Sequence, residues 1–286
     1  ASEVTRANPG YTLHSEEPKN AQEKLVDRIA AGRVAGGHDL ERRTERLGLN
    51  FDARHTVVIC LRGVLGTGNG HQPLQAVAPV DRLKLAFELS CEELRLPMIS
   101  QTGRTLRVRG VVGLSTAEDV ETLQRLGILI RQKLSGIGHG VRLAAIGLAR
   151  HGDQPWELRE AFEGAQRAAL VSEVVGGAAR WADKLGSLGI LAEGVTHSDE
   201  VSRPLINDET AKFLQAMLES GWNKAYAATS LHVQRQTIYR RLESISSSVG
   251  LDLQTPEGQL EASLLFWSHR ISKLVSADGN RWLPPC

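Results

Sequence analysis

Between Ile238 and Val249 the chain places apolar residues at intervals of four, three and four: Ile238, Leu242, Ile245, Val249. At about 100° per residue these four fall in one narrow stripe of a helix. The spacing predicts a helix from about Gln234 to Val249. Gln236, Arg240, Glu243 and Ser247 then lie on the face opposite the stripe. Gln236 and Arg240 are one turn apart near the helix start, so their side chains can point the same way.

A shorter helix is expected just before it. Gly221 can end the preceding helix and Asn223 can cap the next. Ala225, Ala227 and Ala228 are small enough for two helices to cross closely, and Leu231 and Val233 bracket the turn as its apolar plug. His232 stands where a Gly is common in such turns. Asn223 to Leu242 therefore reads as a helix-turn-helix. Amide and guanidinium side chains match base edges in the major groove. That makes the helix start at Gln234, with Arg235, Gln236 and Arg240, the base-reading set. Thr237, Tyr239 and Arg241 suit phosphate oxygens, which fix register. From pattern alone, an ordinary helical hairpin with a solvated polar face is the rival reading. Between Trp222 and Ile245, Lys224, Arg235, Arg240 and Arg241 stand against Glu243, a local excess of +3.

The run from Leu231 to Ile271, LHVQRQTIYRRLESISSSVGLDLQTPEGQLEASLLFWSHRI, resembles the C-terminal domain of PucR/CdaR-type bacterial transcriptional regulators. Gly250, Leu251, Asp252 and Leu253 match that family's turn after the helix-turn-helix. Thr255 is expected to cap one more amphipathic helix with Pro256 at its first position. Leu260, Leu264, Trp267 and Ile271 are expected to bury its inner face. The family often has His or Asn where this chain has Gln234 and Gln236, so base preference does not carry over.

The chain has 286 residues, which favours two domains. With 34 basic and 33 acidic residues its net charge is +1, so any claim on nucleic acid rests on the local cluster. Scarce aromatics (5%) disfavour a stacking platform for single strands. Three cysteines, Cys60, Cys91 and Cys286, show no paired spacing, so neither a disulfide framework nor a zinc site is expected. No run of about 18 apolar residues and no signal peptide is visible. The expectation is a cytoplasmic protein without a membrane span or cofactor.

Upstream, residues 1–19 read as a polar arm or linker. Helices are expected at Asn20 to Ala31, Asp39 to Leu47, Val80 to Leu94, Ala117 to Leu134 and Trp156 to Val175. Strands are expected at His55 to Gly63, Met98 to Ser100, Thr105 to Val112 and Val141 to Ala149. Helices over a mixed sheet form an α/β domain. This part resembles the degenerate GGDEF-like domain that precedes the helix-turn-helix in the same regulators. The residues carrying that likeness are Ala31-Gly32-Arg33, Arg46-Leu47-Gly48-Leu49, Val57 to Leu61, Val141 to Gly147, and Glu160 to Leu170 leading to Leu185-Gly186.

A nucleotide cyclase of that kind holds divalent metal with carboxylates. At the end of the first strand stand Leu61, Arg62 and Gly63, and the hairpin reads Gln101-Thr102-Gly103-Arg104, so cyclase chemistry is expected to be absent. The glycine runs Gly66 to Gly70 and Gly136 to Gly140 read as connectors. Pro73 and Pro79 separate the first from the next helix, and the second leads from helix to strand.

The expected fold class is thus a mixed-sheet GGDEF-like α/β domain (residues 20–200), then an all-α helix-turn-helix domain (201–276) and a tail (277–286). The expected function is a DNA-binding transcriptional regulator, an activator of metabolic or secondary-metabolite genes. Its expected partners are double-stranded DNA and a second copy of itself as a homodimer. The resemblance implies a small-molecule effector acting through a sensory domain outside this sequence. The alternative is a nucleotide-binding or nucleotidyl-transferring enzyme with a helical accessory domain. A pure protein- or RNA-docking module is the third reading.

Overall fold

The structure is a computed structural model. It describes residues 16–34, 37–49, 55–66, 78–103, 105–114, 120–137, 140–150, 157–176, 179–197 and 206–277. The arm before Glu16, the glycine run after Gly66, Arg104, Gly138-His139 and the tail beyond Ala277 lie outside the described residues. Two compact units divide the chain between Leu185 and Gly186.

In the first unit the order is α1 (Glu16–Ala30), α2 (Gly37–Glu45), β1 (Thr56–Leu65), α3 (Pro79–Glu93), β2 (Met98–Thr102), β3 (Arg107–Gly113), α4 (Val120–Ile137), β4 (Val141–Arg150), α5 (Glu157–Val175) and β5 (Arg180–Trp181). The strands form one sheet in the order β2-β3-β1-β4-β5, antiparallel except for β4 with β5. In β1, Ile59 lies between Gly110 of β3 and Leu148 of β4.

Because β1 is central, both of its faces are buried, and its β-branched run serves two cores. Val58 and Cys60 join residues of α1, α2 and α5, including Val26, Ile29, Leu40 and Phe162. Val57, Ile59 and Leu61 join residues of α3 and α4, including Leu83, Phe87, Leu126 and Ile130. Cys60 and Cys91 are buried free thiols; burial, with Glu88 and Glu92 nearby, pushes the Cys91 thiol far up. Helix α5 lies unusually close to β4. A Cβ on Gly147 would sit far inside contact distance of the Ala165 carbonyl and the Ala169 amide. Only glycine permits that approach, and the small face of α5 (Gly164, Ala165, Ala168, Ala169) meets it.

The second unit is entirely helical among the described residues: α6 (Ser187–His197), α7 (Asp208–Glu219), α8 (Lys224–Ser230), α9 (Arg235–Val249) and α10 (Pro256–Ala277). Its core gathers Phe213, Leu214 and Met217 of α7, Ala227 and Ala228 of α8, Ile238, Leu242 and Ile245 of α9, Leu253, and Ala262 and Phe266 of α10. A mixed-sheet α/β part followed by an all-α part is the fold class expected from the sequence. The elements missing from that expectation are β5 and α6, which packs on α10.

One expectation is corrected. On α10, Leu260 and Leu264 are exposed (63% and 39%) and Trp267 is half-buried, while Ile271 is buried. The inner face is instead Ala262, Phe266, His269, Ile271 and Val275. Apolar residues run almost around this helix, so spacing alone does not fix which arc faces the core.

Candidate nucleic-acid interface

The turn geometry is set by caps. After α7, Gly221 and Trp222 both take positive φ (59° and 63°), which reverses the chain. The Asn223 side chain accepts from the amides of Ala225 and Tyr226 at 3.0 and 3.3 Å, satisfying two donors at the start of α8. Ala227 and Ala228 are buried, and Leu231 and Val233 are half-buried on either side of the turn. His232 adopts φ 53°, the left-handed conformation for which glycine is ordinarily used. Gly250 closes α9 with φ 73°, its amide donating to the Ser246 carbonyl at 2.9 Å.

These constraints fix the rotation of α9. Ile238 and Leu242 are fully buried and Ile245 nearly so. Gln234, Arg235, Gln236, Tyr239 and Arg240 are therefore exposed, while Thr237 and Arg241 are partly covered. All seven residues named from the sequence share the outer side and the flanks of one helix. Gln234 is the residue before the first turn and makes no side-chain cap. Arg240 is 3.6-periodic with Gln236 and has no ion pair or hydrogen bond among the described residues.

The flanking groups are held. Arg235 Nη2 donates to the Tyr239 hydroxyl at 3.3 Å, with its guanidinium 5.8 Å from the ring centroid. Lys224 of α8 lies 5.0 Å from the same centroid, and its Nζ donates to Gln254 Oε1 at 2.7 Å. Arg241 Nη2 donates to Glu209 Oε1 of α7 at 3.1 Å.

The helix starts carry an asymmetry. α7 begins with Asp208 and Glu209 and α10 with Pro256-Glu257, the acids that suit a positive helix end. α8 and α9 begin with Lys224 and Arg235 and have no acid in the first turn. At the start of α9 a cation therefore stands at the positive end of the helix dipole, where an acid is the favoured residue.

α7 and α10 are joined at Asp208. Its carboxylate accepts from Lys273 Nζ at 2.8 and 2.7 Å and pairs with Nε2 of the buried His269 at 3.0 Å. The bonds from Lys273 and His269 hold the Asp208 carboxyl below the usual carboxylate range. As expected, Pro256 opens α10 and Thr255 caps it, its Oγ1 accepting from the Gly258 amide at 3.1 Å. A Cβ on Gly258 would collide with the Asp252 carbonyl, so the turn from Gly250 to Leu253 packs directly on the first turn of α10.

In the first unit, Leu61, Arg62 and Gly63, the positions compared above with a cyclase's metal-holding carboxylate, lie within β1, and the Arg62 side chain is buried and paired with Glu173 of α5. Gln101 and Thr102 end β2, and the Gly103 amide donates to the Arg107 carbonyl at 2.8 Å. Among the described residues no cluster of three or more His, Cys, Asp or Glu is placed to hold a metal ion. No described helix is long and apolar enough to cross a membrane.

Residues 210–266, from α7 into α10, match the family model of the PucR C-terminal helix-turn-helix domain. The second unit carries a PucR-type helix-turn-helix. The match covers α8, the turn at His232, α9 and the Gly250 to Leu253 turn. A match to a PucR-type helix-turn-helix supports DNA binding by the second unit. A solved structure titled regulator of polyketide synthase expression, from Bifidobacterium adolescentis, is similar over 90% of this chain and 98% of its own, at 14% identity and a TM-score of 0.36. A comparison with curated proteins finds no match.

Three participants had no role assigned from the sequence: Glu209, Lys224 and Gln254. Lys224 had a readable signal, a cation at the first position of a helix. Glu209 and Gln254 had none, because their partners lie about thirty residues away in the chain.

Proposed function

We propose that this regulator binds duplex DNA as a homodimer, laying α9 of each copy in the major groove. Arg235, Gln236 and Arg240, entering from Gln234, read base edges, and Thr237, Tyr239 and Arg241 hold phosphates. The observation that carries this reading is the division of α9 itself. Ile238, Leu242 and Ile245 are locked into the core, while Gln236 and Arg240 stand exposed on the other side. A single helix of this length touches few base pairs, and two-fold pairing multiplies the specificity.

In this reading the helical unit, α6 to α10, reads the operator, and the α/β unit before it serves dimerisation or relays a small-molecule signal. A GGDEF-like ancestry for that domain and activation of transcription rest on the resemblance. The α/β domain performs no cyclase chemistry. The buried Arg62–Glu173 pair supports this, because it puts a guanidinium where a hard cation would need a carboxylate. Incubation with GTP and Mg²⁺ is expected to give no product.

The direct test is to mix the protein with its own genomic DNA and sequence what it retains. The expected result is an enriched inverted repeat with half-sites about one helical turn, roughly 34–36 Å, apart or a multiple of it. Retention without any shared sequence would overturn base reading by α9.

A further inference from the structure

We infer that Lys224 is a phosphate-binding residue of the DNA interface, carried there by the Tyr239 ring and Gln254. The inference rests on the interface proposed above and extends it from α9 onto α8.

Three segments meet at this lysine: the first residue of α8, the first turns of α9 through Tyr239, and the turn before α10 through Gln254. A lysine side chain is long and freely rotating, so a hydrogen bond at one end and a ring at the side fix where its charge stands. Gln254 takes one of the three ammonium donors and leaves two for a ligand.

The charge pattern identifies that ligand as an anion. Lys224 and Arg235 both sit against the Tyr239 ring, so two like charges share one small surface. Neither has a carboxylate partner among the described residues. Arg235 also stands at the positive end of α9. This cluster repels itself until an anion lies across it. The B-form backbone supplies such anions in a row, on the flank of the groove that α9 enters. The Tyr239 hydroxyl, polarised by the donated N–H of Arg235, can give its own proton to the same strand.

The test uses the full chain and a mixed-sequence duplex, titrated over a range of salt. Removing one cation that neutralises a phosphate lowers the slope of log affinity against log salt by about 0.9. Lys224→Gln is expected to flatten the slope by about that amount and to weaken mixed-sequence and genomically retained duplexes by the same factor. Lys224→Arg is expected to keep the slope, since it keeps the charge. Thermal melting of Lys224→Gln is expected to match the parent, because the side chain is outside the core. A Lys224→Gln slope equal to the parent's, with Arg241→Gln flattened, overturns the role of Lys224 and leaves the α9 interface standing. If neither variant flattens the slope, the α9 interface itself fails.

Discussion

Arg241 of α9 and Glu209 of α7 form an ion pair at 3.1 Å, so one cation of the proposed DNA face already has a carboxylate in the free protein. Phosphate has to displace it. Exposed pairs contribute ~0.2–1 kcal/mol, which sets a ceiling of about fivefold on the competition. Glu209→Gln is expected to tighten binding to all duplexes by up to about fivefold. A titration showing weaker binding would mean that Glu209 aims Arg241 rather than competing for it.

Arg240 and Arg241 are adjacent in sequence but differ in surroundings. Arg240 is exposed and unpaired among the described residues, on the same face as Gln236. Arg240→Ala is expected to cost ~1–3 kcal/mol of operator binding and to relax one position of the site. Arg241→Ala is expected to weaken operator and mixed-sequence duplexes alike. Mobility-shift titrations on both duplexes separate the two; unchanged operator affinity for Arg240→Ala would sink the docking register.

Asp208 gives the helical unit an acid-labile joint. Lys273 and His269 hold its folded-state carboxyl below the usual range, so the unfolded chain takes up its proton first as pH falls. The contribution is therefore present above the unfolded carboxylate range and is lost as pH drops through the folded value. Asp208→Asn is expected to lower the melting temperature at neutral pH and to converge with the parent in acid. Parallel melting curves at every pH would contradict the assignment.

Two glycines are positions of backbone contact, one in each unit. Gly147→Ala forces α5 off β4, and Gly258→Ala forces α10 off the Asp252 carbonyl. Each is expected to destabilise its unit by ~1–3 kcal/mol or more, since neither obstacle is a movable side chain. Urea unfolding followed by a probe in each unit measures the two losses separately.

His232 is the opposite case. Left-handed φ costs a non-glycine residue roughly 1–2 kcal/mol, and a new glycine returns about 0.4–1 kcal/mol of that through unfolded-chain entropy. The side chain is exposed. His232→Gly is expected to stabilise the helical unit by up to ~1 kcal/mol, read as a higher urea midpoint.

The elements legible in the sequence were those whose pattern is local. β1 was readable from its unbroken β-branched run, which a strand covered on both faces requires. α9 was readable because Ile238, Leu242 and Ile245 keep strict spacing, and the start of α8 because Asn223 is suited to a helix cap. α10 was located but turned wrongly, since Leu260 and Leu264 compete with Ala262 and Phe266 for the inner arc and packing against the other helices decides it. β5 is two residues long and carries no period at all. The exposure of the α9 face followed from the sequence; the partners around Tyr239 did not, because they come from α8 and from the turn before α10.

Asp208 and Glu209 are consecutive, yet one grips α10 and the other grips α9. Successive helical side chains diverge by about 100°, so a single turn of backbone can reach two neighbours at once. The opening residues of α7 thus form a yoke, one turn of backbone tied by ion pairs to both α9 and α10.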